Sequence, residues 1–153
     1  MLLWRLSGEQ HARSFDGGYG LVFDGRWNTV GHAVTYCATS PSLCILEKLV
    51  HVEDPALLPG LVMVTYDVPD SLVMDVVAFD QLPADWRRQE TWSQQYGDAW
   101  HRARKSPMLM VPSAIVPLAR SPDRNVVLNH DHRDIAQITT HSLDPFVLDP
   151  RLL

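Results

Sequence analysis

Glu47 is the first residue whose type and position suggest chemistry. It lies in Ser40-Pro41-Ser-Leu-Cys-Ile-Leu-Glu47-Lys-Leu-Val50, where a serine N-cap followed by proline at the first helical position predicts a helix over about residues 41–51. On a 3.6-residue period Leu43, Leu46, Leu49 and Val50 share one side, and Glu47 adjoins Leu43 and Val50 by i,i+4 and i,i+3 spacing. An acid at the margin of a buried face either sits solvated or salt-bridged or serves a reaction, and the helix alone leaves both open. Ser113 is a second candidate. Pro112 interrupts the apolar run 108–117, and a proline there predicts a sheet edge or a bulge that re-aims the following side chain.

Other arrangements of reactive residues lead less far. His130-Asp131-His132 sets two imidazoles around a carboxylate, but no HExxH or CxxC accompanies them, and a catalytic metal needs three ligands with a supporting shell. No metal site is predicted, and Asp131 and His132 are expected to cap or brace a turn. A Ser-His-Asp hydrolase needs an exposed nucleophile, and Val111-Pro-Ser113-Ala lacks the GxSxG turn that provides one. Cys37 and Cys44 have apolar neighbours and read as small buried residues. Five of the eight glycines fall between Gly17 and Gly31, a stretch where backbone can approach a ligand closely or simply form a loop. It matches neither a Walker A loop nor GxGxxG in its strand-then-helix setting.

The elements that must position these residues follow from periodicity. Strands are predicted over 33–37, 61–68, 72–76, 108–117, 125–129, 134–139 and 145–149, of which about six are expected to persist. Those at 61–68 and 72–76, joined through Pro69-Asp70, read as a hairpin or as adjacent edge strands. Trp92, Tyr96, Ala99, Trp100 and Ala103 recur at helical spacing over 91–105, although Gly97 weakens that helix. Arg87, Arg88, Arg102, Arg104 and Lys105 make the middle of the chain locally basic, as a solvated face or toward an anionic ligand. Six strands and two or three helices in irregular order predict an α+β fold with a mixed sheet.

Composition limits the function classes. The 153 residues fit a single domain, 1–153. Thirteen Lys and Arg against eighteen Asp and Glu give a net charge of −5, which disfavours direct nucleic-acid binding. Two cysteines without CxxC spacing indicate neither a disulfide framework nor a zinc knuckle, and fit a reducing cytoplasm. Charge at Arg5 and Glu9 interrupts any signal-peptide apolar region, and no apolar run approaches the ~20 residues of a membrane span. A cytoplasmic protein without membrane contact is expected.

One ordered series stands out: Gly25-Arg-Trp-Asn-Thr-Val-Gly31, then Val34-Thr-Tyr36, then Leu46-Glu47, then Val111-Pro-Ser113-Ala-Ile-Val, then Asn125-Val-Val-Leu-Asn129. From Trp4-Arg5-Leu6 to about Ile138 it resembles the RES domain family, named for its Arg, Glu and Ser, whose members are toxins of bacterial toxin–antitoxin pairs. Matched residue by residue, the family's Arg corresponds to Arg26, its Glu to Glu47 and its Ser to Ser113, with Tyr36 and Asn129 at further family positions. The chain departs from the family in having Asp24-Gly25 where Gly-Gly is frequent. It departs again in having Asn129-His130-Asp131-His132 where Asn-Pro-x-His is frequent.

The resemblance implies an ADP-ribosyltransferase-like fold and NAD+ as substrate, with no cofactor. NAD+ would be consumed by hydrolysis or phosphorolysis of the nicotinamide–ribose bond; alternatively, its ADP-ribose would be transferred to a host protein. It also implies a cognate antitoxin, often with an Xre-type helix-turn-helix. The residue chemistry agrees. Glu47 suits stabilisation of an oxocarbenium-like ribose, and Arg26 suits a bidentate grip on a diphosphate. Tyr36 suits stacking on nicotinamide, and Ser113 a hydrogen bond to a ribose hydroxyl or phosphate. Asn129 is a further substrate-binding candidate by the same match. A non-catalytic nucleotide-binding or interaction module is the remaining alternative, in which Arg26 and Tyr36 would hold a ligand without cleaving it.

Overall fold

A computed structural model describes residues 1–153. In chain order the elements are β1 (Leu2–Gly8), α1 (Gly18–Val22), β2 (Val34–Ala38), α2 (Pro41–Leu49), β3 (Leu61–Asp67), β4 (Met74–Val76), α3 (Glu90–Ala103), β5 (Met108–Pro112), β6 (Arg124–Asn129) and β7 (Thr139–Phe146), with short 3-10 turns between some of them. The seven strands form one sheet in the order β4-β5-β6-β2-β1-β3-β7. Only β4 and β5 run parallel; the other neighbours are antiparallel. This is the expected α+β class with a mixed sheet, with one strand more than predicted.

Several local expectations are corrected. The strands read as a hairpin, β3 and β4, lie on opposite sides of the sheet, with β3 between β1 and β7 and β4 at the far edge against β5. Pro69-Asp70 turns the chain, but a turn signal does not choose the neighbour. Met63, Val64, Thr65 and Tyr66 are buried in succession, which only an interior strand with both faces covered allows. The segment 134–139 forms a 3-10 turn at Ile135–Gln137, and the last strand starts at Thr139, earlier than the predicted 145–149. β1 was not foreseen, because Leu2-Leu-Trp-Arg-Leu does not alternate cleanly. Pro112 ends β5 without a bulge: β4 pairs only as far as Met110, so the missing N–H at Pro112 lies beyond the end of that edge strand.

Strand pairing divides the side chains between two faces. Val34, Tyr36 and Ala38 of β2 stand opposite Asn129, Val127 and Asn125 of β6, and Leu109 and Val111 of β5 stand opposite Val127 and Asn125. Directly opposed residues share a face, so all of these project from one side. On that side, Trp27, Trp86 and Trp100 pack on Val34, Leu109, Val111 and Val127. Further along, α2 lays Leu43 and Cys44 on Ala38 and Met63. The opposite face buries Leu3, Cys37, Tyr66, Val126 and Leu128 beneath loop residues such as Ala12 and Ile138.

The α2 stripe is rotated from its expected direction, since Leu46 and Val50 are exposed while Leu43 and Cys44 are buried. Glu47, i+4 from Leu43 and i+3 from Cys44, still borders the buried side. The helix begins as predicted: Ser40 Oγ accepts from Leu43 N at 3.2 Å and donates to Asp123 Oδ1 at 2.6 Å. Ser40→Ala removes both bonds and is expected to cost about 1 kcal/mol, read as a lower urea midpoint at an unchanged m-value.

Candidate active site

Glu47 projects from the last turn of α2 toward the start of β6. Its Oε1 accepts from Asn125 Nδ2 at 2.7 Å and from Ser113 Oγ at 3.3 Å. Glu47 forms no ion pair, and its Oε2 accepts no hydrogen bond from the protein. A half-buried carboxylate held through one oxygen by two neutral donors keeps a free lone-pair edge.

Ser113, just past β5, is fully buried. Its oxygen accepts from the N–H groups of Ile115 and Val116, both at 3.1 Å, and its proton goes to Glu47. The bonding capacity of the hydroxyl is thus directed to its own turn and to the glutamate.

Tyr36 lies two residues before Ala38 on β2, and Ala38 stands opposite Asn125. Tyr36 and Asn125 are therefore diagonal neighbours on one face, ~7–8 Å apart. That adjacency joins two halves of the site. Tyr36 Oη donates to Asn28 Oδ1 at 2.7 Å and accepts from Trp27 N at 3.0 Å. Burial raises the phenol pKa far above its ordinary value, so it stays protonated as a donor. The segment it holds carries Arg26. Gly25 is required there: a Cβ would fall 2.5 Å from both Tyr36 Oη and Asn28 Oδ1.

Arg26 is half-buried. Its guanidinium lies 5.8 Å from the ring of Trp86 and donates to the Arg87 carbonyl at 3.3 Å, and it has no carboxylate partner. A guanidinium resting on an indole and unpaired is available to an anion. Tyr19 and Phe23, both exposed, stack 5.3 Å apart, with Tyr19 edge-on to Tyr36 at 6.5 Å. These two aromatics were absent from the sequence reading, which took their surroundings for a glycine loop rather than α1.

Asn129 shares this face as the other diagonal neighbour of Tyr36, on the side away from Asn125 and Glu47. It stands four residues from Asn125 on β6, ~13 Å along the strand, and is fully buried. Its Nδ2 donates to the His101 carbonyl at 2.9 Å and its Oδ1 accepts from Asp131 N at 2.9 Å. His132 braces the turn as expected, its Nδ1 accepting from Asp134 N at 3.1 Å, whereas the Asp131 carboxylate caps nothing and faces Arg104 at 3.6 Å. Burial lowers the His130 pKa to about 4, and its Nε2 lies 2.8 Å from Thr35 Oγ1. No group of three His, Cys, Asp or Glu is placed to hold a metal ion. Cys37 and Cys44 are buried and unpaired, with burial pushing both thiols well above their usual range.

The residue that sequence reasoning missed is Asn125. It appeared in the motif without a role, yet it makes the shorter bond to Glu47. A polar residue whose strand neighbours are Val126, Val127 and Leu128, all fully buried, was the available signal. Arg87, Arg88, Arg102, Arg104 and Lys105 are all exposed. Two surface hollows, of about 310 and 420 Å3, lie beside Trp100 and between Arg104 and Arg133, and neither is lined by Arg26, Tyr36, Glu47 or Ser113. No helix is long and apolar enough to cross a membrane.

A family model described as the RES domain matches residues 2–149. The chain is 37% identical over 158 residues to a protein named Toxin Res from Photorhabdus laumondii, covering 100% of this chain and 97% of that one. It is 34% identical to Toxin Res of Yersinia enterocolitica, covering 99% of each chain. A Sphingobium protein named Prs ADP-ribosylating toxin is 29% identical, with 98% of this chain and 95% of that one covered. Among solved structures, the fold matches a chain of the M. tuberculosis MbcT–MbcA toxin–antitoxin complex at a TM-score of 0.74 and 20% identity, covering 95% of this chain and 84% of that one. With the family match running unbroken from β1 through β7, and with relatives aligned over nearly their whole length, the chain belongs to the RES domain family.

Proposed function

We propose that the chain is the toxin of a toxin–antitoxin pair and that it consumes NAD+ at the site formed by Arg26, Tyr36 and Glu47. The observation that carries the reading is the diagonal adjacency of Tyr36 and Asn125: Tyr36 holds the segment of a guanidinium without a carboxylate partner, and Asn125 holds a carboxylate without a cationic one. NAD+ has matching parts: a dianionic diphosphate, a ribose that becomes cationic at its anomeric carbon, and a flat pyridinium leaving group.

In this reading the C1′–N1 bond breaks and nicotinamide departs with the bonding electron pair. The ribose approaches an oxocarbenium ion, and the negative charge of Glu47 stabilises it while Oε2 accepts a ribose hydroxyl. A water or phosphate oxygen then bonds to C1′ and releases its proton to solvent, giving ADP-ribose or its 1″-phosphate. Ser113 and Asn125 act by holding the carboxylate in place, and Tyr36 supports the pyridinium ring by stacking. Names of full-length relatives support the toxin role, and the complex containing the fold neighbour supports an antitoxin partner. An Xre-type helix-turn-helix in that antitoxin belongs to the same proposal.

The relative named as an ADP-ribosylating toxin favours a second reading, in which a protein side chain accepts the ADP-ribose. Incubation with NAD+, with and without phosphate and with cell extract, separates the outcomes by mass spectrometry. Free ADP-ribose, ADP-ribose 1″-phosphate and a protein heavier by one ADP-ribose are the products expected of hydrolysis, phosphorolysis and transfer. Intact NAD+ in all three mixtures would reject catalysis.

A further inference from the structure

The segment that carries Arg26 is gripped by one stripe of α3. Gln94 Nε2 donates to the Gly25 carbonyl at 3.0 Å, and Ser93 Oγ donates to the Arg26 carbonyl at 2.5 Å. Asp98 takes the other end, accepting from Thr29 N on Oδ1 at 3.0 Å and from Thr29 Oγ1 on Oδ2 at 2.7 Å. Between them lies Gly97, where a Cβ would fall 1.8 Å from the Trp27 carbonyl oxygen. Residues 93, 94, 97 and 98 follow i, i+1, i+4, i+5 spacing and so share one helix face.

Asp98 is the costly member of this stripe. It is 7% exposed and has no Lys or Arg partner; His32 Nδ1, at 3.3 Å, is its one ion-pair contact. A buried carboxylate without a strong cationic partner must be compensated by hydrogen bonds, and the two it receives both come from Thr29. The imidazole nitrogen is also within 2.9 Å of the Thr29 carbonyl. Both carboxyl oxygens are thus engaged in fixing the end of one short segment. On its other side the same segment is fixed by Tyr36 through Trp27 N and Asn28.

We propose that Asp98 is a positioning residue that sets the place of Arg26 relative to Glu47, with Gly97 permitting the close approach of the helix. The inference rests on the reading of Arg26 as the diphosphate contact. Removing the carboxylate releases the Thr29 end, and the segment is then held only by its tethers at Gly25, Arg26, Trp27 and Asn28. Ligand affinity should suffer more than the chemical step, because Glu47 and its supports on β6 are untouched.

The test uses the full chain with Asp98→Ala, Asp98→Asn and Thr29→Val. Amide hydrogen exchange over residues 26–30 is expected to rise about 10-fold in Asp98→Ala, with β5 and β6 unchanged. Calorimetry should show NAD+ affinity falling about 10-fold, but less than about twofold when Arg26→Ala is already present, because the two residues then act as one unit. Asp98→Asn retains an acceptor for Thr29 N and should restore most of both properties. Thr29→Val approaches the same contact from the loop side and serves if Asp98→Ala does not fold. Unchanged exchange in 26–30 for both Asp98→Ala and Thr29→Val would overturn the proposal, as would an undiminished affinity loss in the Arg26→Ala background. If wild-type protein neither binds nor cleaves NAD+, the reading of the site fails, while the exchange measurement still decides whether Asp98 fixes the segment.

Discussion

Glu47→Gln is expected to lower NAD+ turnover by on the order of 10³-fold while leaving NAD+ affinity within about twofold. The amide keeps the length of the side chain and an oxygen to accept from Asn125 and Ser113, so the end of α2 should stay where it is. What it loses is the negative charge. That charge matters little to a ground-state ribose and greatly to one with a positive anomeric carbon, so the loss should fall on kcat. Nicotinamide release measures the first quantity and calorimetry the second. Turnover near that of the wild type would remove Glu47 from the chemistry. A proportionate loss of binding would make it a substrate anchor instead.

The geometry explains why the sequence disclosed some parts of this site and concealed others. The start of α2 was legible because Ser40-Pro41 acts locally: the cap bond to Leu43 lies within one turn. The edge position of Glu47 was legible for the same reason, although the buried stripe turned toward Leu43 and Cys44. Its partners were not legible, because Asn125 and Ser113 reach it across 78 and 66 residues. The registers of β2 and β5 against β6 bring them together, and strand pairing is a tertiary choice that periodicity does not encode. The misplaced pair β3 and β4 has that same cause.

Gly97 shows the converse. As a local signal it weakened the helix over 91–105, since glycine in a helix interior costs roughly 1 kcal/mol relative to alanine. The structure retains the helix and uses the missing side chain to admit the Trp27 carbonyl. Ser113 differs again. Pro112 was expected to re-aim it, and it does follow an interrupted strand. Its hydroxyl is nevertheless fully engaged with Glu47 and its own turn rather than exposed for a ligand. The site residues that carry free valence are Arg26 and the Oε2 edge of Glu47.

Arg26 is where the second large effect is expected. Arg26→Ala should weaken NAD+ binding about 100-fold and Arg26→Lys about 10-fold, consistent with the worth of charge-assisted bonds to a diphosphate. The gap between the two substitutions is the informative quantity. Lysine restores the charge but not the planar fork, nor the same stacking against Trp86 that holds the guanidinium in place. If the contribution were only long-range attraction, lysine would match arginine, and raising the salt concentration would erase the difference between alanine and the wild type. A bidentate contact instead predicts that the lysine defect persists at high salt. Calorimetric titration of each variant with NAD+ at low and high ionic strength reads both behaviours. Equal affinity of Arg26→Lys and wild type at every salt concentration would reject the bidentate contact. Equal affinity of Arg26→Ala would remove Arg26 from the binding site.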